Sequence, residues 1–64
     1  MSSVSHTYSK SCTLMLDIRE LADNARRLGC SAIVQPMGDD CVELLVMGDF
    51  AAVNSLDYDL PIYL

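Results

Sequence analysis

The chain has 64 residues, 52% of them hydrophobic and 20% charged, with a formal net charge of −5. So apolar a composition excludes a disordered tail, and a chain this short, burying only about 60% of its unfolded surface, forms one domain with little room for a deep substrate pocket. No apolar run reaches the roughly 18 to 20 residues that span a bilayer, so a soluble protein is expected.

Residues 1–8 read as a flexible lead-in. The first eleven residues are rich in Ser and lack the basic cluster and apolar stretch of a signal peptide, which points to the cytoplasm. His6 has neither a second imidazole to share a metal nor a nucleophile to activate, and is expected to be solvated. In "SCTLMLD", Cys12, Leu14 and Leu16 alternate with Thr13 and Met15, the period of a half-buried strand.

"DIRELADNARRLG" follows with the marks of a helix. Asp17 is a natural N-cap with Glu20 three residues on, Ile18, Leu21, Ala22, Ala25 and Leu28 recur at helical spacing, and Gly29 can close the end. Arg26 and Arg27 fall in the last turn, where positive charge complements the helix dipole. "SAIVQPM" and "CVELLVM" read as two strands joined by Gly38-Asp39-Asp40. Gly48 ends the second of them, Asp49 can cap a short helix to about Leu56 with Phe50 and Val53 buried, and "LPIYL" supplies a last strand.

The order strand, helix, strand, strand, helix, strand is the α+β, ferredoxin-like split βαβ arrangement (βαββαβ), two helices on one face of an antiparallel sheet ordered 4-1-3-2. Pro36 and Pro61 then fall in the two edge strands, where a missing N–H costs no ladder bond. Cys12, Cys30 and Cys41 form no C-x-x-C pair, and this topology holds them beyond disulfide reach, so free thiols are expected.

Charge is unevenly distributed. All four basic residues, Lys10, Arg19, Arg26 and Arg27, precede Gly29, whereas Asp39, Asp40, Glu43, Asp49, Asp57 and Asp59 follow it without any Lys or Arg. The expected topology brings Asp17, Asp39, Asp40, Asp57 and Asp59 to one end of the sheet, with Glu43 just below. Singly each acid has an ordinary role, as a helix cap or turn residue. Together Asp39, Asp40, Glu43, Asp57 and Asp59, with Tyr58 as an aromatic anchor between two acids, form a candidate surface for a basic protein partner.

Other ligands fit less well. Phosphate-backbone binding needs Lys and Arg where there are none, EF-hand spacing is missing so no metal is expected, and no glycine leads a phosphate-binding motif. Catalysis by a carboxylate pair needs a cleft that loop ends do not provide, so neither an enzyme nor a cofactor is expected. The sheet face away from the helices is the alternative interface. Strand parity puts Met15, Ile33, Leu45, Met47 and Tyr63 there, with Thr13, Gln35, Glu43 and Pro61, a set too apolar for a free surface that suggests self-association or a partner. A monomer is expected rather than a dimer.

From the Ser-rich start through "DIRELADNARRLG" to "SLDYDLPIYL", the whole chain resembles the small anti-CRISPR proteins of phages and mobile elements, more narrowly those directed at type I-C systems. That group shares no motif, so the resemblance assigns no residue. It implies a stoichiometric inhibitor that binds a subunit of the CRISPR effector complex in the host cytoplasm and blocks target-DNA engagement. The acids would occupy a basic nucleic-acid channel. The competing reading is a regulatory or assembly domain that self-associates through its open sheet face.

Overall fold

A computed structural model describes residues 1–63, arranged as β1 (Ser2–Ser9), α1 (Met15–Arg27), β2 (Ser31–Met37), β3 (Cys41–Gly48) and α2 (Phe50–Asn54). The fold is a small α+β arrangement whose three strands are antiparallel in the order β1-β3-β2. This corrects the expected four-stranded 4-1-3-2 sheet. Residues 60–63 of the expected last strand are not in the sheet, and Leu64 lies outside the described residues.

The first strand is also displaced. The Ser-rich residues expected to be a flexible lead-in form β1, with Ser2 opposite Gly48 and Ser9 opposite Cys41. Their alternation explains it. Val4, His6 and Tyr8 sit opposite Val46, Leu44 and Val42 on the core side, while Ser3, Ser5 and Thr7 face solvent, so only half of the strand needs to be apolar. In "SCTLMLD", by contrast, Thr13 is buried while Leu14 and Leu16 are 48% and 72% exposed. The alternating residues there are the start of a helix whose apolar stripe, Ile18, Leu21, Ala22 and Ala25, is set by period 3.6.

Helix α1 therefore begins two residues before Asp17. Leu14 occupies the cap position with no side-chain hydrogen bond, and Asp17 lies in the first turn, where its charge still favours the dipole. The other end is as expected. Gly29 has φ 85°, Cys30 N–H donates to Ala25 O at 3.0 Å and Gly29 N–H to Arg26 O at 3.0 Å, the paired bonds of a Schellman motif. Asp49 caps α2 as expected, its carboxylate accepting from Ala51 N–H at 3.1 Å. Val53 is buried in the core, but Phe50 is 69% exposed, against the expectation of burial.

Helix α1 lies over β2 and β3, and the five-residue α2 touches the lower part of β1 and β3. So short a helix leaves the rest of the core uncovered on the β1 side. The segment 55–63 covers it as an extended strap, with Leu56, Tyr58 and Leu60 packed on the cluster of Leu21, Ala25, Leu44, Val46 and Val53. The strap ends beside the loop before α1, where Tyr63 N–H donates to Cys12 O at 2.7 Å. Covering the core yields more than edge pairing would for a segment whose alternate residues are apolar, and Pro61 has no N–H to offer a ladder.

Pro36 lies in edge strand β2 as expected, whereas Pro61 lies outside any strand. The three cysteines are free. Packing is tight where β3 ends: a Cβ on Gly48 would lie 2.8 Å from Cys30 Sγ and 3.2 Å from Cys30 Cα. Gly48→Ala is therefore expected to destabilise the fold by about 1–3 kcal/mol, as overpacking does. In urea titration, adding Cys30→Ala to it restores only part of the loss, because the backbone contact remains.

Candidate functional site

The carboxylates expected to meet at one end are distributed over separate places. Asp39 and Asp40 lie in the β2–β3 connection, both exposed. Asp40 is already engaged: its carboxylate accepts from Ser9 Oγ at 3.0 Å and Ser11 Oγ at 3.1 Å, and its backbone carbonyl accepts from Lys10 N–H at 2.6 Å. It ties the turn after β1 to the hairpin. Asp57 makes an Asx turn, accepting from Asp59 N–H at 3.0 Å.

Asp57 faces α1 across a groove of about 230 Å³ lined also by Asp17, Glu20, Asn24 and Leu60. Three carboxylates thus share this groove, and neither Lys nor Arg lines it. Asp17, Glu20 and Asn24 fall at i, i+3 and i+7, one flank of a helix, so half of this wall was readable from spacing alone. The strap that supplies the other wall was not. Glu20 is consequently the residue that sequence reasoning missed. At the mouth, Tyr63 donates its hydroxyl to Asp17 Oδ2 at 2.8 Å, and that bond raises the Tyr63 pKa above its ordinary value.

Tyr58 is a core residue. Its hydroxyl donates to Val53 O at 2.8 Å, its carbonyl accepts from Tyr8 Oη–H at 2.7 Å, and its ring stacks on His6 with centroids 4.4 Å apart. The expected aromatic anchor is thus half-buried, and burial pushes its phenol up. His6, expected to be solvated, is its stacking partner. Asp59 points the other way from Asp57, into a second groove beside β1.

On the open sheet face Ile33 lies opposite Leu45, with Met47 beside them, as strand parity predicts. Glu43 belongs to this face. Its two oxygens accept from Gln35 Nε2 at 2.7 Å and Ser5 Oγ at 2.9 Å, and these bonds, Gln35 first, lower its pKa. Four residues expected on this face are elsewhere. Met15 is in the first turn of α1, Thr13 is buried, Tyr63 is beside α1 and Pro61 lines the groove between α1 and the strap, because the strands assigned to them do not form.

No group of His, Cys, Asp and Glu among the described residues is placed to hold a metal ion. No described helix is long and apolar enough to cross a membrane. Comparison with known proteins finds no matching family model, no matching curated protein and no matching solved structure.

The tyrosine pair carries a pH dependence. Tyr8 is pushed up from 10 to about 12, first by burial and then by Tyr58, Asp59 and Asp57 nearby. The folded state holds this proton more tightly than the unfolded chain, so the stabilisation is complete below pH 10 and is lost as pH rises towards 12. Urea unfolding at pH 8, 10 and 11 should show stability falling across that window. Tyr8→Phe is expected to make the fall shallower while lowering stability at pH 8, because its hydroxyl no longer reaches Tyr58 O.

Proposed function

We propose that this chain acts by binding another protein, presenting carboxylates to a surface rich in Lys and Arg. The observation that carries this reading is the groove between α1 and the strap, where Asp17, Glu20 and Asp57 meet with no Lys or Arg among the lining residues and only Arg27, held by Asn24, at the margin. Carboxylates held together repel one another, and a guanidinium or ammonium from a partner relieves that repulsion while gaining charge-assisted hydrogen bonds. Asp59 adds charge on the far side of the strap. Asp40 contributes less, since Ser9 and Ser11 already occupy its carboxylate.

The narrower proposal follows from the resemblance to anti-CRISPR proteins. In it the chain is a stoichiometric inhibitor, working in the bacterial cytoplasm, that occupies a basic DNA-binding surface of a type I surveillance complex. Titration of the chain into a purified type I-C surveillance complex with labelled target duplex tests it. The expected result is one-to-one loss of duplex binding that weakens as salt rises. The double variant Glu20→Lys/Asp57→Lys should lose at least about tenfold in potency, with Asp39→Lys within about twofold of the parent. Duplex binding unaffected by excess chain ends the CRISPR reading.

A second reading rests on a different observation. Ile33 and Met37 on the open sheet face are 46% and 48% exposed, Leu45 and Met47 are partly so, and the one charge among them, Glu43, has both oxygens satisfied. This apolar strip, bordered by Ser3, Ser5 and Thr7 of β1, can bury itself against a second copy. Light scattering should then show a concentration-dependent dimer that Leu45→Glu abolishes, and a monomer at millimolar concentration removes this reading.

A further inference from the structure

The two edges of the sheet are not equivalent, and hydrogen-bond phase shows why. In an antiparallel pair the residues that exchange bonds alternate with residues whose N–H and C=O point away from the partner. Lys10 N–H donates to Asp40 O, and the register steps from there through Tyr8 opposite Val42, His6 opposite Leu44 and Val4 opposite Val46. Those residues bond to β3. Ser3, Ser5 and Thr7 consequently turn their backbone groups outward from β1.

On β3 the other phase, Cys41, Glu43, Leu45 and Met47, serves β2, so Ala32, Val34 and Pro36 face outward from that strand. This edge is closed. Pro36 has no N–H, and Ala32 O accepts from Arg26 Nη2 at 2.9 Å. The β1 edge has none of the usual protections: from Ser2 to Ser9 there is no proline, no Lys, no acid and no break in register. The strap does not cap it either, since Tyr63 N–H goes to Cys12 O and Asp59 N–H to Asp57.

A groove of about 550 Å³ runs along this edge between His6, Thr7 and Ser9 on one side and Tyr58, Asp59 and Leu60 on the other. Asp59 is its carboxylate, and no Lys or Arg lines it.

We propose that the β1 edge is a strand-addition site that takes an extended segment of a partner protein carrying a Lys or Arg opposite Asp59. The added strand would bond to Ser3, Ser5 and Thr7 and fill the place beside β1 that a fourth strand occupies in a 4-1-3-2 sheet. A second copy fits the site poorly. Self-pairing of β1 would bring no Lys or Arg to Asp59 and would set two straps, each with Asp57 and Asp59, beside one junction. The site is distinct from the α1–strap groove, so this proposal and the proposed function fail separately.

The test uses the full ¹⁵N-labelled chain and a set of capped octapeptides of alternating Thr and Val, each with one Lys at a successive position. In the free chain, amide exchange at Ser3, Ser5 and Thr7 should be at least about tenfold faster than at Val4, His6 and Tyr8. The best peptide should slow exchange at Ser5 and Thr7 by about tenfold or more. Thr7→Pro, which removes one outward N–H as Pro36 does on β2, should weaken that peptide at least about tenfold, and Asp59→Asn about threefold. Glu20→Lys should leave it within about twofold. If Thr7→Pro does not fold, as read by circular dichroism, the Asp59→Asn result decides. Peptides that leave the edge amides unprotected, or an indifferent Asp59→Asn, overturn the proposal. So does protection that grows with protein concentration without peptide, since a second copy then holds the edge, or protection in the dilute free chain, since the strap then holds it.

Discussion

Tyr58 holds the half of the core that no long helix covers. It donates to Val53 O, accepts from Tyr8 through its own carbonyl and stacks on His6, so one residue joins α2, the strap and β1. A chain of this length has a single helix long enough to shield a sheet, and α1 shields mainly the β2 side. Leu56 and Leu60 can complete the core on the β1 side only if the strap stays down, and Tyr58 keeps it there by donating to Val53 O and by accepting, through its own carbonyl, from the Tyr8 hydroxyl. The half-buried phenols are the alkaline weak point of the arrangement for the same reason.

The strap also organises the surface. Its inward residues lie on the core, so Asp57 and Asp59 are turned out, one towards α1 and the other towards the β1 edge. One extended segment thereby supplies a wall to two acidic grooves. The basic residues all belong to the N-terminal part of the chain, Arg26 is spent on Asp23 and Ala32 O, and Arg27 reaches only Asn24 at the margin of the first groove, so no Lys or Arg is among the residues lining either wall. Attraction for a basic partner is the physical consequence, and it needs no pocket deep enough for catalysis.

Much of the middle of the chain was legible in its residues. The stripe of α1, the Schellman close at Gly29, the β2–β3 hairpin, the Asp49 cap and the parity of Ile33, Leu45 and Met47 all follow from local spacing and turn chemistry. Two segments misled. β1 was obscured because serines on its solvent side lower its apparent hydrophobicity while Val4, His6 and Tyr8 carry the core side. "LPIYL" has the composition of a strand, but nothing in it says whether its apolar residues meet a sheet edge or a core surface. The acidic site suffers accordingly: charge pattern points to Asp57 but not to Glu20, and nothing local to Asp40 shows that Ser9 and Ser11 hold its carboxylate.

Local pattern by itself determined the buried stripe of the central helix and where it ends, which face of the hairpin is apolar, and that the charge after Arg27 is wholly acidic. These depend on residues within a turn or a strand of one another. Only the tertiary structure decided that Ser2–Ser9 is the third strand of the sheet, that the C-terminal segment is a strap, and that Asp17, Glu20 and Asp57 share a groove. Those outcomes depend on a competition between distant segments for one uncovered stretch of core. The winner is the segment that buries the most apolar surface without leaving a buried polar group unpaired, and that comparison is made between surfaces that exist only once the chain has folded.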